Sequence, residues 1–168
     1  PDERQSSHIR FLLADLFFEE ASERFLTESE AYYEMLESDD LEVLESLGDE
    51  PKLDLQDSIG LYQTIVDDNL KLPKEERYER LDGAFLMLGF CYSDETSAQQ
   101  DEARARQVFH RLIEEMPESD LADRSHLFLG NYAFADSDYE EAIAQYSKVM
   151  EKGEDSPYFN EAIYQLAW

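Results

Sequence analysis

The chain has 168 residues, 41 acids against 14 lysines and arginines for a net charge of −27, and 42 % apolar residues. That charge excludes nucleic acid as a partner, because binding it requires phosphate neutralisation, and it opposes an anionic membrane surface. No apolar run approaches the ~18 residues of a membrane span, yet the apolar content is enough for a core, so one globular domain or one short solenoid is expected.

Residues 1–7 are polar and read as a frayed end. From His8 to Leu36 one long helix is predicted: Ile9, Leu12, Leu13, Leu16, Phe17, Ala21, Phe25, Tyr32 and Leu36 recur at three and four, with no Gly or Pro between them. It would span roughly 40 Å at ~1.5 Å per residue, so its second half, Glu20–Leu36, should overhang and cover something. The run 37–54 is acidic, with a short helix over Leu41, Val43, Leu44 and Leu47 before Gly48 and Pro51 break the pattern. It reads as an insertion between the first helix and its partner.

The second main helix is predicted over Asp57–Leu72. Pro73 opens a turn into the third, Glu75–Ser93. The polar run 93–100 reads as a lengthened turn, and the fourth helix, Asp101–Met116, is closed by Pro117. The fifth is Leu121–Ala135. Asp136, Ser137 and Asp138 are turn formers, and the sixth runs Tyr139–Lys152 with Gly153 as its stop. A seventh is predicted from Pro157 to Trp168. Beginning at Pro1 and stopping inside a helical pattern, the chain reads as a piece of a longer one.

Chemistry is sparse in this pattern. The histidines, His8, His110 and His126, have no partner at i, i+4, and Cys91 has no CxxC mate. No convergent nitrogen or sulfur set is available for a metal. Asp136-Ser-Asp-Tyr-Glu imitates the start of a calcium loop, but Glu141 stands where glycine is needed and Ser147 where glutamate is needed. There is no GxSxG, P-loop or dinucleotide glycine pattern. Neither a cofactor, nor a metal, nor an enzymatic activity is expected. Half of the cations fall between residues 71 and 111: Lys71, Lys74, Arg77, Arg80, Arg104, Arg106 and Arg111. They read as internal ion pairs or as a small basic spot. The acidic surplus reads as a solvated surface or as steering of a basic partner.

The helices repeat. Ser119 to Ser156 and Leu129 to Leu166 are each 37 residues apart, and Leu88-Gly89 precedes Leu129-Gly130 by 41. Ala105, Phe109, Leu112 and Pro117 follow the spacing of Ala142, Tyr146 and Val149, as do Ser58, Tyr62 and Ile65 before Pro73. Gly89 and Gly130 lie inside helices, where close packing is the expected reason. A helical hairpin of this size buries its apolar face only by stacking on a neighbour.

A small residue between leucines, an aromatic four after a second small residue, and a closing proline resemble the tetratricopeptide repeat. The match is fullest at Leu129, Gly130, Asn131, Phe134, Asp138, Tyr139, Glu141, Ala142, Ile143 and Tyr146. His126 stands where that family favours tryptophan, and a proline is missing near Glu154. The period of 37, Pro117–Ala122 and Ser156–Tyr158 look like the bacterial cell-envelope branch, which includes the Tol-Pal coordinator and the outer-membrane assembly lipoprotein. The opening and closing helices look like envelope proteins of gliding deltaproteobacteria.

The resemblance implies an all-α superhelical stack of antiparallel hairpins, about three and a half repeats with a long N-terminal helix. Residues 1–54 would hold the long helix and acidic insertion. Residues 55–168 would hold the repeats, at 55–73, 75–117, 119–153 and, as a half repeat, 155–168. It further implies a non-catalytic scaffold that binds a peptide or partner subunit, basic or apolar, in a bacterial envelope or motility assembly, with a periplasmic or envelope location. The alternative is a spacer in a larger repeat protein with no ligand in its groove. The family lines its concave face from positions around the small residue of each first helix. Here these are Arg124, Leu127, Asn131 and Phe134, then Leu86, Phe90 and Ser93, then Tyr164 and Trp168.

Overall fold

The computed structural model describes residues 3–167. Eight helices follow one another: α1 (Glu3–Leu36), α2 (Leu41–Glu45), α3 (Gln56–Asn69), α4 (Leu81–Ser93), α5 (Glu102–Glu115), α6 (Asp120–Ala135), α7 (Tyr139–Glu151) and α8 (Phe159–Leu166). Short 3₁₀ turns cover Lys74–Glu76 and Gly153–Asp155. No strand occurs among the described residues.

The helices pair as hairpins, α1 with α3, α4 with α5 and α6 with α7, and α8 closes the end against α7. Each hairpin packs on the next through α3 on α4 and α5 on α6. Side-chain caps fix several starts. Asp101 accepts from the Arg104 amide at 3.0 Å, Ser119 from the Leu121 amide at 3.1 Å, and Asp138 from the Glu141 amide at 3.2 Å. At the α6–α7 turn, Ser137 takes a left-handed φ of 63° while Asp138 N donates to Ala133 O at 2.8 Å and Ser137 N to Phe134 O at 3.0 Å. This is the hydrogen-bond pattern of a Schellman turn.

One apolar core runs through α1, α3, α4, α5 and one face of α6, with Phe11, Tyr62, Phe85 and Phe109 among its largest members. A second, around Leu127, Tyr146, Val149 and Ala162, joins α6, α7 and α8.

Three features depart from the sequence reading. The first helix begins at Glu3, and its first turns are tied down: buried Ser7 accepts from Asn69 at 2.9 Å, and Arg10 reaches Glu3 at 3.0 Å and Asp68 at 3.3 Å. The helix after Pro73 starts at Leu81 instead of Glu75, because Asn69 Oδ1 accepts the Tyr78 amide at 2.7 Å and holds the incoming chain extended at Arg77. The acidic insertion docks on the lengthened turn. Leu53 donates to Thr96 O at 2.9 Å, Ala98 donates back to Leu53 O at 2.8 Å, and Gln99 Oε1 accepts the Leu55 amide at 2.8 Å. Two segments with no apolar period of their own thus close each other's backbone.

The second half of α1 covers little. It packs on α3 and touches α2, Tyr33 donates to Glu50 at 2.6 Å, and Leu26, Tyr33 and Leu36 stay exposed. Ile9, Leu12, Leu13 and Leu16 also face solvent on the first half.

Candidate functional site

The first helices of successive hairpins are α1, α4, α6 and α8, and one device positions their surface residues. A small residue lets an aromatic ring of the second helix lie on the backbone of the first. A Cβ added at Gly130 would overlap the Tyr146 ring, and one at Gly89 the Phe109 ring. In α1 the small residue is fully buried Ala14, whose carbonyl accepts from Ser58 Oγ of α3 at 3.1 Å. The residue after it is then set by what the ring carries. Tyr146 donates to Asn131 Oδ1 at 2.8 Å, and Tyr62 donates to Asp15 Oδ1 at 2.5 Å. Phe109 has no hydroxyl, and the residue after Gly89 is Phe90, which needs none. Burial pushes both tyrosine hydroxyls above their usual range, and Tyr62 also feels Asp15.

The groove candidates divide accordingly. Phe90 and Phe134 keep 39 % and 46 % of their surface. Phe90 meets Phe18 of α1 at 6.3 Å between ring centroids, and Phe134 stands edge-on to Tyr139 at 5.5 Å. Asn131 is exposed, with its carbonyl oxygen held by Tyr146 and its amide nitrogen left for a partner. Tyr164 is 60 % exposed on α8. Ser93 is half-buried and donates to Phe90 O at 2.9 Å, and Leu86 is half-buried against the main core.

Two candidates are engaged between α6 and α8. Leu127 is buried in the second core with Ala162, where α6 meets α8. Arg124 bonds Glu161 at 2.8 Å and lies 5.1 Å from the Phe128 ring and 5.4 Å from that of Tyr158, so it joins the same two helices. Trp168 lies outside the described residues.

Tyr139, Ile143, Tyr146, Gln165 and Leu166, which the sequence reading did not place in the groove, complete the region. With Phe134 they enclose an apolar cavity of about 350 Å³ whose wall, among the described residues, holds no charged side chain. Tyr139 and Ile143 are more than half exposed. The signal was available: Phe134 and Tyr139 flank the Asp136–Asp138 turn, which brings two aromatics together at the hairpin tip.

Elsewhere several polar groups are committed to the fold. Buried Asp123 takes Lys152 at 2.8 Å. Arg77 bonds Glu115 at 2.9 Å, and Arg106 pairs with Glu102 and with Asp136. Burial in the apolar core pushes the Cys91 thiol up to about 12, which keeps it protonated and unreactive. Among the described residues no three His, Cys, Asp or Glu side chains converge as a metal site, and no helix is long and apolar enough to cross a membrane.

A family model described as a tetratricopeptide repeat-like domain matches residues 89–168, from the packed glycine of α4 through α8. No curated protein and no solved structure matches the chain. The helical hairpins and this match make the architecture an all-α TPR-like helical repeat fold, of a kind that generally serves as a protein–protein interaction scaffold and is typically non-enzymatic.

Proposed function

We propose that the chain is a non-catalytic docking scaffold that holds an apolar helix or extended segment of a protein partner against Phe90, Asn131 and Phe134. The partner's contact would continue into the cavity beside Phe134. The observation that carries this reading is compositional. In a chain of net charge −27, the wall formed by Phe134, Tyr139, Ile143, Tyr146, Gln165 and Leu166 holds no charge and leaves three large apolar side chains about half exposed. Exposed aromatics around a concave, uncharged site are where binding energy concentrates in interfaces. The amide nitrogen of Asn131 adds a donor for a partner's backbone carbonyl.

A second reading, a spacer with an empty groove, draws on Arg124 and Leu127, which are spent on joining α6 to α8. A bacterial cell-envelope or motility assembly, with a periplasmic or envelope location, is the setting we propose for either reading. Its support is the period of 37 residues and the motifs at Pro117–Ala122 and Ser156–Tyr158.

The test is to isolate partners from the native host with this chain as bait, and then titrate the wild type, Phe134→Ala and Tyr146→Phe against the partner found. Phe134→Ala should weaken binding roughly tenfold or more. A thermal melt of each variant controls for stability, and Tyr146→Phe, which removes only the hydroxyl that donates to Asn131, reports whether that bond positions Asn131 for the partner. Equal affinities for wild type and Phe134→Ala would move the partner off this surface and favour the spacer.

A further inference from the structure

The other side of the stack carries a second cavity of opposite character. Between α3 and α5, floored by α4, lies a cavity of about 290 Å³ whose wall contains two arginines and no carboxylate. Arg104 and Arg111 stand two turns apart on α5, with Gln107 between them and Gln63 across on α3. Val66 and Tyr92 are among the apolar residues beneath. It opens on a different face of α4 from Phe90, so it is separate from the surface proposed above.

The state of the polar groups is what singles this place out. Arg104 is held in place at the cavity rim, with Nε on Asp101 at 3.2 Å and its guanidinium against the Tyr92 side chain, 5.6 Å from the ring centroid. Among the described residues Arg111 has no ion pair and no hydrogen bond, although the chain offers 41 acids, and Gln63 and Gln107 have no hydrogen-bond partner either. Other arginines of the same stretch are engaged: Arg77 on Glu115, Arg106 on Glu102 and Asp136, and Arg80 4.1 Å from the Phe11 ring centroid.

We infer that this cavity is a docking site for an acidic segment of a protein partner, one that carries an aspartate or glutamate next to a large apolar side chain. The apolar chain fills the cavity over Val66, whose volume suits one such residue. The carboxylate bridges Arg104 and Arg111, where guanidinium geometry favours a planar two-oxygen anion. Gln63 and Gln107 supply donors and acceptors for the segment's backbone. The overall negative field does not decide the matter, because at physiological salt it is screened beyond about 8 Å while the two arginines act at contact. A phosphate group would gain nothing from the apolar floor, so the combination selects a carboxylate beside a hydrophobe.

The probe is a blocked tripeptide with glutamate between two leucines, and its control is the glutamine counterpart. Both are titrated against the isotope-labelled chain and followed by amide NMR shifts. The glutamate peptide should shift the signals of Gln63, Val66 and Gln107 and bind about tenfold or more tightly than the glutamine peptide, as one charge-assisted contact implies. Arg111→Gln, at an exposed residue, should abolish that preference. Arg106→Gln, outside the cavity, and Phe134→Ala, on the other surface, should preserve it. Absence of shifts at the cavity, equal binding of the two peptides, or a preference that survives Arg111→Gln would each overturn the assignment.

Discussion

Replacing Asn69 by alanine should cost more than any other single amide in the molecule. Its side chain is fully buried and makes three bonds: Nδ2 to Ser7 Oγ at 2.9 Å, Nδ2 to Ile65 O at 2.8 Å, and Oδ1 from the Tyr78 amide at 2.7 Å. These bonds tie the first turns of α1, the end of α3 and the chain entering α4. Each intact bond contributes about 0.5–1.5 kcal/mol, but a buried donor left without an acceptor costs about 1–3 kcal/mol. The Tyr78 amide is such a donor, since Tyr78 is itself buried and its amide bonds Asn69 Oδ1. With partial relaxation the loss is about 2–4 kcal/mol, a large share of the ~5–15 kcal/mol typical of a folded domain. Urea denaturation followed by circular dichroism measures it, with Ser7→Ala beside it as the variant that loses one bond only. Ser7→Ala should cost about 1 kcal/mol. If Asn69→Ala costs less than about 1 kcal/mol, or no more than Ser7→Ala, the Tyr78 amide has another acceptor and the account of this joint is wrong.

Gly130→Ala and Gly89→Ala should each lose about 1–3 kcal/mol in the same assay, because the added methyl meets the Tyr146 or Phe109 ring. Gly60→Ala, in open space on α3, should gain up to about 1 kcal/mol through helix propensity, and a loss there would contradict the packing described. His126, which pairs with Gln145 Oε1 at 2.7 Å, has its pKa lowered chiefly by burial. The unfolded chain therefore binds the extra proton first, near pH ~6.5. Stability should be full above that pH and fall as the pH drops from there toward the folded value, by at most about 1.4 kcal/mol per pH unit. His126→Gln should flatten the slope, and an unchanged profile would assign it to other groups.

The apolar period made the helices legible. Ala142, Tyr146 and Val149 recur at helical spacing, and all three are buried in the core of their hairpin. What failed was local and polar. Nothing in the spacing of Ser7, Asn69 and Tyr78 marks them as one joint, so the frayed end and the early start after Pro73 both followed from missing it. Likewise Leu53 and Thr96 pair through backbone atoms, which carry no side-chain signature. Long-range polar pairs such as Asp123 with Lys152 were equally hidden, because in so acidic a chain every cation has many carboxylates to choose from.

The groove residues show where a family pattern stops being sufficient. The pattern selects a position just after the small residue, and here that position is Asp15, Phe90 and Asn131 in successive hairpins. The structure adds the facing residue on the second helix: Tyr62, Phe109 and Tyr146. Where the ring bears a hydroxyl, the opposing residue is an acceptor and is bonded to it; where it does not, the residue is aromatic. Asn131→Ala should therefore lower stability by about 0.5–1.5 kcal/mol as well as touch any partner. On the function proposed above, binding on this face rests on Phe90 and Phe134, which are 39 % and 46 % exposed. Asn131 contributes one amide nitrogen, so a partner suited to this face needs an apolar anchor first and a backbone carbonyl second.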